Sequence, residues 1–381
     1  MTSFTRHYLD WNATAPLRPE ARSAMLSALD VVGNPSSVHA EGRLARRIVE
    51  DAREKVAGLV GAQPAEVIFT SGATEANNWV AGRAWDNVII SRLEHPSVIA
   101  PVLSSGARVV ELPVGTNGVV SLAALEAWLV THRERVAAGP GRTLLVLQAA
   151  NNETGVVQPI EEAADLAAAH GLSVMTDAVQ AVGRLPFAFK RSSCTFMTVS
   201  SHKLGGPKGV GALIARVDAP LPPLLIGGGQ ERGRRAGTEN VASIAGFGAA
   251  AAAAAGEVPY FSALAGLRDR LEMEIGRVTP GIVVIGKTAP RLANTSCLSS
   301  PGRSAETLIA ALDLSGVAVS AGSACSSGKV GPSAVLAAMG LASDVARGAV
   351  RVSIGPATTP EDVDAFIAAW IRITRPAVHA A

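Results

Sequence analysis

The sequence predicts an α/β protein, with a mainly parallel seven-stranded sheet in a large domain and a smaller α+β domain beside it. Strand-like apolar runs alternate with helix-like segments between about residues 65 and 215. Such alternation means a mainly parallel sheet covered by helices. The length of 381 residues exceeds what one minimal core requires, so two domains are expected. An acid and a lysine, Asp177 and Lys203, each stand where a strand should end. In a parallel sheet the carboxyl ends of the strands line one crevice, so the two can face the same small ligand.

In chain order, a charge-rich helix over 41–60 precedes the sheet. Strands are expected at 66–69, 88–90, 109–112, 144–147, 173–175 and 196–199, with 209–215 closing the sheet. Helices fall between them at 97–103 and 160–170, and a long helical region follows at 240–278. The remainder reads as α+β, with strands at 282–285, 291–298, 317–320 and 349–354. Its helices are expected at 304–314, 333–339 and 361–372. The division expected is 16–254 for the large domain, and 1–15 with 255–381 for the small one. There is no internal repeat.

Apolar residues make up 48% and charged residues 17%, which fits a well-buried enzyme rather than a disordered chain. A net charge of only +2 gives no nucleic-acid footprint. The N-terminal residues Met1 to Trp11 lack the apolar stretch of a signal peptide. The uncharged segment 241–256 is mostly Ala and Gly, too short and too weakly apolar to span a bilayer, and is expected to be a packed helix. Three cysteines are a sparse, odd number, which argues against a disulfide framework and for a reducing cytoplasm. No metal-ligand set is assigned.

A carboxylate for a pyridinium nitrogen and a lysine for an aldehyde are the two protein groups that define a pyridoxal phosphate site. Asp177 and Lys203 supply that pair. In Thr70-Ser71-Gly72-Ala73-Thr74-Glu75 a strand turns into a helix, whose first N–H groups make an anion site. The plainer reading of that turn is an ordinary helix cap. His95 follows the 88–90 strand, where an imidazole can lie over a planar ring or simply cap a helix. Asn152, in Asn151-Asn152-Glu153, offers an amide for a phenolic oxygen and a substrate carboxylate, or merely forms a turn.

Cys194 and Cys297 are expected in strands as buried packing. Cys325 is different: Ser320 to Lys329 is small, polar and glycine-punctuated, and reads as an accessible, mobile loop. A thiol there is a nucleophile if Lys329 or a cofactor favours its thiolate, and an incidental loop cysteine otherwise. Arg351, in an otherwise small or apolar strand, suits either a bidentate clamp on a carboxylate or a structural ion pair. In the basic loop 227–238, Thr238 can reach a phosphate, while most of the charges are expected to be solvated.

Together these motifs resemble the cysteine desulfurases of the class V aminotransferase group, within the fold-type I pyridoxal phosphate enzymes. The resemblance runs from Tyr8-Leu9-Asp10 and Gly33-Asn34-Pro35-Ser36-Ser37 to the Arg351 strand. Its most specific part is Gly322-Ser323-Ala324-Cys325-Ser326-Ser327-Gly328, similar to the longer loop subtype that serves iron–sulfur assembly. The resemblance implies Lys203 as the cofactor's covalent anchor and Asp177 as partner of its ring nitrogen. Gln180 and Asn152 would bond the phenolic oxygen while His95 stacks on the ring. Ala73, Thr74, Ser200 and His202 would bind phosphate, with Thr238 supplied by the neighbouring subunit of a homodimer. Arg351 with Asn152 would take the carboxylate of L-cysteine. Cys325 would carry the sulfur as a persulfide to an acceptor or iron–sulfur scaffold protein. One departure is Ala334, where relatives often have histidine.

Rival readings are a selenocysteine lyase or another class V lyase, and a catalytically silent sulfur-transfer scaffold. A dinucleotide-binding oxidoreductase is disfavoured, because the turn at Gly72 lacks the repeated glycines of that fingerprint.

Overall fold

The computed structural model describes residues 6–133, 142–322 and 333–374. In chain order the strands are β1 (His7–Tyr8), β2 (Val67–Thr70), β3 (Asn87–Ser91), β4 (Arg108–Leu112), β5 (Thr143–Val146), β6 (Ser173–Asp177), β7 (Phe196–Ser200) and β8 (Gly211–Ala215). Beyond these come β9 (Val283–Val284), β10 (Thr295–Ser299), β11 (Val317–Ala318), β12 (Ser320–Ala321) and β13 (Ala349–Ser353). A seven-stranded sheet runs β2-β8-β7-β6-β5-β3-β4, a four-stranded sheet runs β12-β13-β10-β9, and β1 pairs with β11. In the large sheet only β8 runs antiparallel to its neighbours, β2 and β7. The expected mainly parallel, seven-stranded architecture is what forms.

Its strands are buried along their whole length from β5 to β8, as a sheet covered on both faces requires. Side chains alternate between two apolar layers because strand periodicity is two. Phe69, Ile89, Leu145, Val174, Met197 and Ile214 enter one layer. Ile68, Val88, Leu144, Met175, Phe196 and Leu213 enter the other, beneath Trp79 and Trp85. The first layer is roofed by helices Ala40–Val60 and Val241–Phe261. These two approach closely: a Cβ on Gly248 would lie 2.6 Å from the Ala52 Cα. The apolar run expected at 241–256 is therefore a packed helix, with Ile244, Phe247, Ala250, Ala251 and Ala254 in the core. A short 3₁₀ turn at Ser262–Leu264 joins it to helix Ala265–Val278.

A second core gathers Leu271, Ile275, Leu298, Leu312, Val350, Phe366 and Trp370, and Leu9 joins it from the other end of the chain. Here the expected strand at 317–320 divides, because β11 pairs with β1 while β12 pairs with β13. Residue 66 is not in a strand: Pro64–Glu66 is a 3₁₀ turn held by reciprocal bonds between Gln63 and Glu66. Cys297 lies in β10 as expected, whereas Cys194 stops short of β7; both are buried.

The loop at 227–238 is more embedded than its charges suggest. Glu231 is buried in a left-handed conformation (φ 46°), which is uncommon outside glycine. Its carboxylate accepts from Arg53 Nη1 at 2.7 Å, from Arg53 Nη2 at 2.8 Å and from the Phe69 N–H at 2.9 Å. One ion pair thereby ties this loop to helix Ala40–Val60 and to β2. Replacing Glu231 by Gln leaves the buried Arg53 guanidinium with only the partly exposed Glu50 as counter-charge and should cost about 3 kcal/mol in chemical denaturation. A loss below about 1 kcal/mol would mean that the pair is no clamp.

Candidate active site

Strand β3 pairs with β4 on one side and β5 on the other, so the chain reverses its direction of travel across the sheet there. A crevice opens outside the carboxyl ends of the strands at such a reversal. It holds a cavity of about 550 Å³, within the usual range of about 300–1,000 Å³ for small-molecule sites. Asp177 ends β6, Ser200 ends β7, and His202 and Lys203 occupy the turn that follows. All four line the cavity, together with Ala73, Thr74, His95, Asn152, Gln180 and Arg351. Thr238 is exposed and does not line it. Cys325 lies outside the described residues.

Asp177 is only 8% exposed. Its Oδ1 accepts the Val179 N–H at 3.0 Å and its Oδ2 accepts from Asn77 Nδ2 at 3.0 Å. Asn77 also donates to Ser97 Oγ at 2.9 Å, and Ser97 Oγ lies 2.7 Å from His95 Nδ1. His95 Nδ1 accepts the Ser97 N–H at 3.1 Å, which leaves the ring proton of neutral His95 on Nε2. His95 is therefore both the cap of helix Pro96–Ser104 and a wall of the cavity. One relay of hydrogen bonds fixes the carboxylate and the imidazole together.

At the opposite end, helix Ala73–Ala81 starts on Gly72 and points its first N–H groups into the cavity. Close approach makes this corner: a Cβ on Gly211 would lie 2.8 Å from the Gly72 Cα, so β8 passes beneath only as glycine. Lys208, Lys203 and His202 line the same cavity. Burial, with the charges of Lys203 and Lys208, pulls the His202 imidazole down to about 4, so it is neutral at physiological pH. Arg235 pairs with Glu75 in the first turn of the helix at 3.0 Å, so this charge of the 227–238 loop is not simply solvated.

Lys203 Nζ donates to the carbonyls of Asn12 at 2.6 Å and Ala13 at 2.8 Å. Gln180 Nε2 donates to the Asn12 carbonyl as well, at 3.1 Å. Arg351, 2% exposed, answers the question its sequence left open by forming an ion pair with Asp10 at 2.6 Å. It still lines the cavity, bonds the Asn152 carbonyl at 3.2 Å, and keeps a buried Nε with no partner among the described residues. Sequence reasoning missed Asn77, Asn12 and Lys208. Asn77 was findable, since it lies four residues after Ala73 on the same helical face. Asn12 carries no local signal beyond its nearness to Asp10.

The arrangement brings a buried carboxylate, a helix start with nearby cations, and an amine onto one cavity. The aminotransferase class-V family model matches residues 7–366. A cysteine desulfurase of Cereibacter sphaeroides is 41% identical over 374 residues, covering 95% of this chain and 94% of that protein. An IscS-like cysteine desulfurase of Mycobacterium tuberculosis is 40% identical over 376 residues, covering 94% of each. Among solved structures, a NifS-like protein from Rickettsia africae superposes with a TM-score of 0.87 at 32% identity, covering 97% of this chain and 99% of that one.

Beside His95, the Glu94 carboxyl is pushed up from 4.5 to about 8 by burial, opposed by the Gln148 N–H and reinforced by the charge of Asp177. The folded protein keeps this proton between those values while the unfolded chain releases it, so Glu94 subtracts stability as pH rises through that window. Glu94→Gln removes the effect. Thermal melts should show the variant gaining on the native protein from pH 5 to about pH 8. A difference independent of pH would refute the protonated carboxyl.

Proposed function

The chain belongs to the aminotransferase class-V family, and we propose that it works as a pyridoxal-phosphate-dependent cysteine desulfurase. It takes sulfur from L-cysteine, leaving L-alanine and a persulfide on Cys325. The observation that carries this reading is the opening of Asp177 and Lys203 onto one cavity at the strand ends.

The residues present fit the cofactor. Asp177 would hold the ring nitrogen protonated, and His95 would cover the ring. The helix start at Ala73 and Thr74, with Ser200 and His202, would hold the phosphate. Gln180 and Asn152 would bond the phenolic oxygen, and Lys203 would anchor the aldehyde. When bound, the cofactor supplies an electron sink for the Cα of an amino acid. Arg351 and Asn152 hold the substrate carboxylate, which Arg351 does by sharing its guanidinium with Asp10. Lys203 Nζ accepts the Cα proton, and its carbonyl partners, which favour the protonated amine, help it do so. The Cys325 thiolate bonds to the substrate sulfur as the carbon–sulfur bond breaks, so a thiol and cysteine become a persulfide and alanine.

The finer reading is a homodimer. Thr238 does not line its own cavity, which suits a role in the neighbouring subunit's phosphate site. Leu29, Val32, Val38 and Ile226 are strongly exposed, and Gln230 bonds Ser36 across this surface, so the apolar face and the Thr238 loop are continuous. The domains we assign are 16–254, and 1–15 with 255–381; the passage of Leu9 into the second core supports the split. The sulfur would pass to an acceptor or iron–sulfur scaffold protein in the cytoplasm.

Lys203→Ala should remove the cofactor's visible absorbance and all turnover. Cys325→Ser should keep the absorbance and lower sulfide release from L-cysteine more than ~10³-fold. Arg351→Gln should raise KM for cysteine by about 10–100-fold, the worth of one charge-assisted bond. Normal sulfide release by the serine variant would overturn the nucleophile assignment.

A further inference from the structure

Arg184 is a guanidinium 7% exposed behind the wall of the cavity, and no carboxylate pairs with it among the described residues. Buried charges are ordinarily paired. Here Nη1 donates instead to two amides, to Asn12 Oδ1 at 2.7 Å and to Gln180 Oε1 at 2.6 Å.

The Gln180 contact has a chemical consequence. With its oxygen held by Arg184, the amide must turn its NH₂ away from the guanidinium. One hydrogen goes to the Asn12 carbonyl, the same oxygen that accepts from Lys203 Nζ. The other is the only polar hydrogen Gln180 has left for the cavity it lines. Gln180 can therefore donate to an anionic oxygen there, and cannot accept from a hydroxyl. Arg184 and the Asn12 carbonyl together fix the two ends of the amide, and Arg184 is the charged member of the pair.

The surrounding charges leave this effect intact. On its far side Arg184 faces Arg18 and Glu257, which pair with each other at 2.6 Å. Across Asn12 it faces Lys203, which shares its cavity with Asp177, His95, His202, Lys208 and Glu75. Burial, with the charge of Arg351, pushes the Arg184 guanidinium down to about 9, which still leaves it protonated at neutral pH.

We propose that Arg184 is a positioning residue for the cofactor: through Gln180 it presents a hydrogen-bond donor that holds the ring's phenolic oxygen anionic beside Lys203. The proposal rests on the desulfurase reading and adds a residue to it. A donor on that oxygen, with a positive charge behind it, makes it harder for the neighbouring nitrogen of Lys203 to keep a proton. Removing Arg184 should let that nitrogen stay protonated to higher pH.

The test is an absorbance titration of the purified holoenzyme against pH, with thermal melts of the cofactor-free protein alongside. Arg184→Met should raise the midpoint of the chromophore by ~0.5–1 unit, and Arg184→Lys should raise it by less than half as much. In a Gln180→Leu background the rise caused by Arg184→Met should shrink to under half. An unmoved midpoint in a folded Arg184→Met protein, with only its melting temperature lowered, would make Arg184 a packing residue and overturn the proposal. An equal rise in both backgrounds would overturn it too, because the effect would not pass through Gln180. If Arg184→Met does not fold, Arg184→Lys decides: a rise with Gln180 and none with leucine supports the proposal, and any other pattern sinks it. A native protein with no chromophore at all would instead remove the desulfurase reading, and this proposal with it.

Discussion

The central strands of a sheet covered on both faces offer charged side chains only their ends, and Asp177 takes such a place at the end of β6. A carboxylate this buried persists as an anion only where hydrogen bonds and an opposite charge compensate it. The Val179 N–H and Asn77 Nδ2 supply the bonds, and the cavity in front leaves room for the opposite charge. The neighbouring Glu94 is held in its neutral form by burial and by Asp177 itself, so no second charge adjoins Asp177 from behind the cavity wall. At the far end a neutral His202 accompanies the cations and the helix start. The resulting polarity, negative at one end and positive at the other, is that of a partner for a ring cation bearing a phosphate.

The short N-terminal segment joins this site to the second core. Leu9 packs in that core, Asp10 pairs with Arg351 of β13, and Asn12 meets Lys203, Gln180, Arg184, Asn294 and Thr295. Residues from both cores thus fix the atoms around Lys203. Arg351 and Asn152, the pair assigned to the substrate carboxylate, meet on the seam between them. A shift of one core against the other would move Arg351 relative to the lysine, and under the proposed assignment the ion pair at Asp10 would set the substrate's position as well as join the two cores.

The parallel sheet was legible because its strands are unbroken apolar runs at regular spacing, and Asp177 and Lys203 were legible because strand ends are where such a fold places ligands. Ten of the assigned site residues line one cavity, of which Gln180, Ser200 and His202 were assigned only through the family resemblance. What escaped were partners distant in sequence. Asn12 reaches Arg184 and Arg53 reaches Glu231, and no local pattern in the chain marks either pair; Asn77, which reaches Asp177, was marked only by its helical spacing from Ala73. Strand edges escaped for a similar reason. Whether 317–320 is one strand or two depends on β1 and β13, which arrive from opposite ends of the chain.

Ala334 and Gly322 stand near the two ends of the stretch of chain that includes Cys325. Ser333 caps helix Ala334–Ala338 by accepting the Leu336 N–H, and its hydroxyl donates to Glu153 Oε2 at 2.5 Å. On the other side of the segment, a Cβ on Gly322 would lie 2.9 Å from the same Glu153 oxygen. Both flanks therefore converge on one buried carboxyl, next to Asn152 in the turn after β5. That carboxyl is pushed up to about 7 by burial, against the pull of Ser333, Arg351 and His95. Residue 334 follows the cap and makes none of these contacts, so an alanine there leaves the anchor whole. Gly322 stands where any larger side chain would push against Glu153.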